Sequence, residues 1–230
     1  MLLPSTSPYY GTHVHRNESD GVRQPARRGR PRERRADDAI LDAALTLFAD
    51  GGLAATTFDG VATHAGVSRS TLYRRWSTRD DLLIAALQWS RARAEAGVED
   101  WATRSHADQM AIFTRLAVRG LTDAGGIGLL RHVTALPGDS PVRHAYWSTI
   151  VAPRRDVFTQ LLVSARAAGD LPQGPAPDLL LDQLAGALTY RALVHPTPLD
   201  KDTAEHYLRR LLTSLGLAST HDDRSTGPHP

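Results

Sequence analysis

The pattern of apolar and polar residues predicts helices along most of the chain. From residue 40 to residue 48, apolar side chains recur at i, i+1, i+4, i+5 and i+8, which is one face of a helix, and the pair Gly51-Gly52 is expected to end it. Strand signals are nearly absent, since β-branched residues show no sustained alternation. We therefore expect an all-α protein. Further helical segments are predicted at roughly 106–123, 127–135, 140–167, 178–194 and 202–216.

Glycine and proline divide the second half of the chain into these segments. Pro153 lies within one of them and is expected to start or kink a helix, because it lacks a backbone N–H group. Loops are predicted at Gly125-Gly126 and Pro137-Gly138, from Gly169 to Pro177, and from His195 to Pro198.

The stretch between residues 56 and 83 predicts two short helices joined by a sharp turn. Thr57 is expected to cap a helix that runs from Phe58 to about Ala65. Gly66 follows, at a position that favours a residue tolerant of positive φ. Two short helices joined by a tight turn with glycine make a helix-turn-helix.

The second of these helices is unusual on its outer side. Ser68 is a good N-cap for it, and Val67 and Leu72 take the two positions of a hydrophobic staple. The outer residues are hydrogen-bond donors and an aromatic, with no acid among them, which is typical of a helix that enters the DNA major groove. An ordinary surface helix is the alternative. These outer residues are Arg69, Ser70, Thr71, Tyr73, Arg74 and Arg75.

A third capped helix is predicted directly after these two. Thr78 would cap it, and Asp81 would complete a capping-box pair. This helix would link a DNA-binding head to the rest of the protein. Its apolar stripe consists of Leu82, Leu83, Ala86 and Leu87.

The composition narrows the classes of protein that remain. The chain of 230 residues has a net charge of +2 and contains no cysteine, which excludes disulfides, thiolate catalysis and cysteine-based zinc sites. No apolar run reaches the ~18 residues needed to span a bilayer. The start of the chain shows no signal-peptide pattern. We therefore expect a cytoplasmic protein that does not enter a membrane.

Residues 27–35 form a basic arm, in which six arginines face a single glutamate. Because residues 1–26 lack an apolar period, we expect 1–33 to be a disordered tail that ends in this arm. The core of the arm contains Arg28 and Arg30 and resembles the AT-hook, whose arginines lie in the minor groove of A·T-rich DNA. Simple attraction of a flexible arm to phosphates is the alternative.

The stretch from about Arg34 to Gln88 resembles the DNA-binding domain of the TetR family of transcriptional repressors. The matching elements read AILDAALTLFADGGLAATTFDGVATHAGVSRSTLYRRWSTRDDLL. The resemblance implies a three-helix head and a helical body that dimerises and binds an inducer. We accordingly divide the chain into a helix-turn-helix domain at 34–80, a ligand-binding and dimerisation domain at 81–217, and a disordered tail at 218–230.

Carried over residue by residue, the resemblance implies roles in binding double-stranded DNA. Thr57 would contact a phosphate, and Ser68 to Thr71 would approach the bases. Tyr73 and Arg75 would touch the DNA backbone, and Arg79 would reach a phosphate. Together with the arm, the predicted DNA-binding residues are Arg28, Arg30, Thr57, Ser68, Arg69, Ser70, Thr71, Tyr73, Arg75 and Arg79.

Two leucine-rich stripes near the end of the chain are candidates for a homodimer contact. Strongly apolar terminal helices can form a four-helix interface between subunits. Completing the core of one subunit is the alternative, and it is expected to hold for about half of these residues. A dimer would need a near-palindromic operator, because it presents two recognition helices. The predicted dimerisation residues are Leu184, Leu188, Leu208, Leu211, Leu212 and Leu215.

Large residues of the body are candidates for the wall of a small-molecule pocket, since such pockets are mostly apolar with a few polar groups. Core packing is the alternative for each aromatic. No cofactor and no metal is expected. The predicted ligand-binding residues are Trp89, Trp101, Phe113, His132 and Trp147.

These patterns predict a DNA-binding transcriptional regulator, in particular a repressor that a small molecule releases from its operator. Catalytic motifs such as His-Glu-x-x-His, a Walker loop or Gly-x-Ser-x-Gly are absent from the sequence, so no enzyme activity is expected. The alternatives are a helix-turn-helix protein that binds DNA without a ligand, and a helical-bundle enzyme with a vestigial head.

Overall fold

Helices dominate the computed structural model, which describes residues 30–95 and 101–217 and has no strand within those ranges. The expectation of an all-α protein is confirmed, and none of the described helices is long and apolar enough to cross a bilayer. The head consists of α1 (Arg30–Ala55), α2 (Phe58–Ala65), α3 (Arg69–Tyr73) and α4 (Arg79–Glu95). After a 3₁₀ turn at Trp101–Thr103, the body contains α5 (His106–Thr122), α6 (Ala124–Thr134), α7 (Pro141–Tyr146), α8 (Ala152–Ala168), α9 (Pro177–Thr189) and α10 (Lys201–Ser214).

The first helix begins earlier than predicted. Residues 30–33 are helical and not part of a disordered tail, because arginine favours helices and an acid in the first turn, Glu33, stabilises them. The glycine pair does interrupt the helix: Gly51 and Gly52 leave the helical region, with φ of 63° at Gly52. The rest of the predicted tail and arm, including Arg28, and the predicted tail at 218–230 lie outside the described residues.

The loop prediction fails at one glycine pair, whereas the separate expectation that Pro153 starts or kinks a helix is confirmed. Gly125 and Gly126 lie in the first turn of α6, where the Asp123 carboxylate accepts a hydrogen bond from the Gly126 N–H at 3.1 Å. This cap offsets the low helix propensity of glycine. Pro153 starts a helix as expected, since a π-helical turn at Trp147–Val151 separates α7 from α8 and the proline lies in the first turn of α8.

Three apolar clusters hold the helices together. The head cluster contains residues from all four helices α1, α2, α3 and α4, among them Leu72 and Leu82. The middle cluster joins Phe48 of α1 and Leu83 of α4 to α6 and α7. The body cluster joins α5, α8, α9 and α10 around Phe158. Because α4 contributes to the first two clusters, packing continues across the predicted boundary between residues 80 and 81.

The head meets the body where α1 packs against α6. A Cβ atom on Gly128 would clash with the backbone oxygen of Ala49, so the two helices approach closely only because this residue is glycine. Nearby, the His132 ring meets Phe48 edge-on, with centroids 6.0 Å apart. A Cβ atom on Gly52 would lie 2.8 Å from His132 Nδ1. We call this contact the α1–α6 seam.

Candidate nucleic-acid interface

The turn between α2 and α3 has the local geometry that the sequence predicts. Thr57 caps α2, and its Oγ1 accepts a hydrogen bond from the Gly60 N–H at 3.0 Å. Gly66 ends α2 with φ of +66°, and its N–H donates to the carbonyl oxygens of Ala62 and Thr63. A side chain would be strained at this φ, so glycine allows α3 to follow after a short turn.

Ser68 occupies the N-cap position of α3 but does not cap it in the predicted way. Its Oγ lies 2.9 Å from Ser70 Oγ and 2.8 Å from Thr71 Oγ1, and it makes no capping bond to the helix. The Thr71 N–H donates instead to the Ser68 carbonyl oxygen, at 3.0 Å. The three hydroxyls form a cluster at the start of α3 that can donate and accept hydrogen bonds.

Apolar contacts hold α3 against the rest of the head. Leu72 is buried in the head cluster, and Val67 and Trp76 pack against the same cluster. Tyr73 is 63% exposed, and its ring meets Phe58 edge-on with centroids 4.8 Å apart. These contacts leave the opposite side of α3 facing solvent.

Two ion pairs connect arginines of α3 and its end to neighbouring helices. Arg75 Nε lies 2.7 Å from Asp37 Oδ1 of α1, and Arg75 Nη1 donates to the Thr71 carbonyl oxygen at 3.1 Å. With 25% of its side chain exposed, Arg75 ties this segment to α1, a role that the sequence did not predict. Arg69 Nε lies 2.7 Å from Asp59 Oδ1 of α2, with both side chains largely exposed.

The start of α4 is fixed by the predicted capping box. The Thr78 N–H donates to Asp81 Oδ2 and the Asp81 N–H donates to Thr78 Oγ1, both at 3.0 Å. Arg79 Nη1 donates to the carbonyl oxygen of Leu53 at 2.9 Å. This bond places Arg79, which is exposed, beside the end of α1.

Most of the predicted DNA-binding residues lie at the surface of the head. Those exposed are Thr57, Ser68, Arg69, Ser70, Tyr73 and Arg79, whereas Thr71 and Arg75 are partly buried. Arg30 is the first residue of α1, and Arg28 lies outside the described residues. Sequence reasoning missed the acids Asp59 and Asp37. The place of Asp59 in the first turn of α2 was a usable signal, whereas the pairing of Asp37 depends on the fold.

The five predicted ligand-binding residues do not line one pocket. Trp101 and Phe113 pack against the body cluster, and the Phe113 ring centroid lies 4.2 Å from that of Phe158. His132 lies at the α1–α6 seam, and Trp147 is largely exposed on the π-helical turn. Only Trp101 and Phe113 therefore share a cluster in which a ligand could bind.

Trp89 belongs to the head. Its Nε1 donates to Asp38 Oδ1 of α1 at 2.7 Å, and its ring packs against the head cluster. The guanidinium of Arg93 lies 4.8 Å from the ring centroid. The predicted ligand contact at Trp89 stays a prediction, and in the structure this indole holds α4 against α1.

Half of the predicted dimerisation residues belong to the core. Leu184, Leu208 and Leu212 are buried in the body cluster, where α9 and α10 pack on α5 and α8. Their assignment to a subunit contact is wrong, because buried side chains cannot reach a second chain. The other three, which are partly buried against the same cluster, are Leu188, Leu211 and Leu215.

Two hollows of the described chain are open to solvent. One, of about 390 Å³, lies where the end of α8 meets the end of α10 and includes Arg166 and Leu215. The other hollow, of about 420 Å³, follows α10 and is lined by His206, Arg209, Arg210, Thr213 and Ser214.

His, Asp and Glu within the described ranges do not gather in groups of three that could hold a metal ion.

Two sequence families match this chain. Residues 40–86 match the family described as bacterial regulatory proteins, tetR family. Residues 98–211 match the family described as tetracyclin repressor-like, C-terminal domain. The first match spans most of the head, and the second spans most of the body.

Relatives with similar sequences are transcriptional regulators of the helix-turn-helix (HTH) type. The HTH-type transcriptional regulator YdeS of Bacillus subtilis is 30% identical over 169 residues, which are 74% of this chain and 84% of YdeS. The HTH-type transcriptional regulator AqdR of Rhodococcus erythropolis is 32% identical over 179 residues, which are 77% of this chain and 79% of AqdR.

A solved structure shares the fold of both head and body. It is a transcriptional regulator from Saccharomonospora viridis in complex with choline, with a TM-score of 0.64 and 16% identity, and the match covers 77% of this chain and 95% of that one. The fold, the family matches and the relatives agree with the helix-turn-helix geometry of α2 and α3. This chain belongs to the TetR family of transcriptional regulators.

Proposed function

We propose that the protein is a dimeric repressor that binds a near-palindromic operator through α3 and leaves it when a small molecule binds the body. The observation that carries this proposal is the outer face of α3, where Ser68, Arg69, Ser70 and Tyr73 are exposed. A solvated helix would normally carry both signs of charge, whereas donors without acids suit base edges and phosphates.

Thr57 and Arg79 are the proposed phosphate contacts. Thr57 lies at the N-terminus of α2, where the helix dipole and the first N–H groups favour an anion. Arg79 is exposed, and its guanidinium carries further N–H donors beside the one bonded to Leu53. Arg28 and Arg30 of the arm would add sequence-independent attraction to DNA.

The proposed dimer surface is the exposed face of α9 and of the π-helical turn that follows it, Tyr190–Val194. Leu179, Gly186 and Tyr190 recur at i, i+7 and i+11 and so share one face, and Val194 lies about one turn beyond. Leu179, Tyr190 and Val194 are 50%, 54% and 65% exposed. A Cβ atom on Gly186 would meet nothing within 4 Å, so a partner helix has room to approach there. Exposed apolar stripes of this kind mark interaction surfaces.

The ligand is proposed to bind between α5 and α8, near Trp101 and Phe113. The related structure from Saccharomonospora viridis is a complex with choline, so a protein of this fold can bind a small molecule. Because Phe113 and Phe158 stack at 4.2 Å, a ligand would have to separate them. Movement of α5 would pass through Asp123 into α6 and so reach the α1–α6 seam.

Selection of duplexes from a random-sequence pool by the full chain tests this proposal. We expect enrichment of a near-palindrome whose half-sites are set by the spacing of two recognition helices. Transcription from a promoter that carries the selected duplex should fall when the protein is added. A rise in transcription would contradict the repressor role but not DNA binding. Failure to enrich any duplex would contradict both.

A regulator that binds DNA without a ligand is the second candidate. It is favoured by the two hollows described above, because both are open to solvent rather than enclosed. A thermal-shift screen separates the candidates. A compound that raises the Tm and also releases the selected duplex supports ligand control. If every compound that raises the Tm leaves the duplex bound, the second candidate is favoured.

A further inference from the structure

An acidic side chain lies beside the face of α3 that is proposed to bind DNA. Asp59 is in the first turn of α2, and its Oδ1 lies 2.7 Å from the Nε of Arg69, which is the first residue of α3. The side chains of Asp59 and Arg69 are 53% and 68% exposed, so a duplex lying on α3 would cover the pair. A carboxylate in this place repels DNA phosphates, and its presence therefore needs a reason other than affinity.

In water this ion pair contributes little to stability, because exposed pairs are screened by solvent and salt. A duplex that covers the pair excludes water and strengthens the attraction between the two charges. The bond to Asp59 uses Nε, while the two Nη atoms of Arg69 carry four further N–H donors. Two of these donors suffice for the forked contact that arginine makes with the O6 and N7 atoms of guanine.

We propose that Asp59 determines DNA specificity by holding Arg69, so that Arg69 reads a base edge instead of neutralising a phosphate. Asp59 is thus a positioning residue that acts through Arg69. The carboxylate compensates the guanidinium charge, which makes a phosphate a poorer partner, while a base edge still gains from the oriented donors. This inference rests on the proposed function of α3 and assigns part of its selectivity to α2.

The chain offers a matched control for Asp59. Asp80 is the second residue of α4, just as Asp59 is the second residue of α2, and each follows a capping threonine by two positions. Asp59→Asn and Asp80→Asn therefore remove the same charge from the same place in a capped helix of the head. Arg69→Gln removes the partner of Asp59. The double variant Asp59→Asn/Arg69→Gln shows whether the effect of Asp59 passes through Arg69.

The measurement is affinity as a function of salt concentration for two duplexes. One is the duplex that the wild type enriches most from a random pool, and the other is a scrambled duplex of the same composition. We expect Asp59→Asn to bind the scrambled duplex more tightly, with a log–log salt slope steeper by about 0.9 per head, since Arg69 becomes free to neutralise a phosphate. The preference for the selected duplex should fall roughly tenfold. Asp80→Asn should retain the preference of the wild type.

Each other outcome overturns a stated part of the account. If Asp59→Asn and Asp80→Asn have the same preference for the selected duplex, the inference is wrong. It is also wrong if Asp59→Asn raises affinity for the scrambled duplex as much in the Arg69→Gln background as in the wild type, because Asp59 then does not act through Arg69. If the wild type shows no preference for the selected duplex, the proposed function itself is wrong. Should the asparagine variant unfold, as judged by circular dichroism, Asp59→Ser provides the same comparison.

Discussion

The head and the body differ in how far apart in sequence their important contacts lie. In the head, Thr57 caps the helix that ends at Gly66, and Thr78 and Asp81 cap each other. In the body, Phe113 of α5 is half-buried against Phe158 of α8, which lies three helices further along the chain. A site built from local contacts can be predicted from sequence, whereas one that depends on packing between distant helices cannot.

The largest effect is expected when a buried leucine of the head, rather than a half-exposed leucine of the body, is replaced by alanine. Leu72 is buried in the head cluster, so Leu72→Ala should lower the free energy of unfolding by about 2–5 kcal/mol. Duplex binding should be lost, because α3 loses its anchor. Leu116→Ala in α5 removes a half-exposed leucine and should change stability by less than about 0.5 kcal/mol. If urea unfolding shows that the two variants lose the same free energy of unfolding, Leu72 is not a core residue of the head.

The α1–α6 seam provides the next test, because it joins the two regions. Gly128→Ala would place a Cβ atom against the Ala49 carbonyl and should lower the free energy of unfolding by about 1–3 kcal/mol. Gly120→Ala in α5 is the control, since a Cβ atom there meets nothing within 4 Å. That variant should gain up to about 1 kcal/mol from higher helix propensity. If the free energy of unfolding rises in both variants, α1 and α6 are not in close contact at Gly128.

A smaller effect is expected at Trp89, which the sequence assigned to the body and the structure places in the head. Trp89→Phe removes the hydrogen bond to Asp38 and should lower the free energy of unfolding by about 0.5–1.5 kcal/mol. In an Asp38→Ala background the same substitution should have less effect, because the bond is already absent. The same loss in both backgrounds would rule out the bond as its source.

The smallest expected effect is a pH dependence confined to the body. Asp200 caps α10, and the hydrogen bond from the Thr203 N–H lowers the pKa of its carboxyl group below the ordinary 3.8. Because the pKa is lower in the folded state, the cap contributes stability above pH ~4 that is lost as the pH falls through the folded value. Asp200→Asn should therefore weaken the acid-induced fall in Tm, and Asp156→Asn, at an exposed position inside α8 that caps no helix, is the control. Identical acid profiles of the two variants would contradict the role of the cap.

The sequence predicted the helices well where apolar spacing and caps are local. The segment predicted at 106–123 is α5 (His106–Thr122), and Pro153 starts α8 as expected. It failed at Gly125-Gly126, since the capping bond that the Asp123 carboxylate accepts from the Gly126 N–H outweighs glycine's low helix propensity. The apolar spacing of Leu184 could not distinguish a buried face from one that meets a second subunit, because both require the same pattern.

The candidate site was predictable only in part. The exposed donors of α3 follow directly from its sequence, as does the glycine turn before it. The ion pair of Arg75 just after α3 does not, because Arg75 and Asp37 are distant in sequence and meet only when the head is folded. An ion pair between helices changes which arginine is available to DNA, and such a pair cannot be predicted from the local sequence pattern.

The central claim, that the outer face of α3 binds DNA, is tested most directly by placing a negative charge on it. Ser70→Glu and Gln88→Glu add the same side chain at exposed helical positions of α3 and α4, and an acid in the first turn of α3 does not disfavour the helix. On the duplex most enriched by the wild type, we predict that Ser70→Glu lowers affinity about 100-fold or more, while Gln88→Glu stays within about twofold. Equal affinity of the two folded variants would contradict the account.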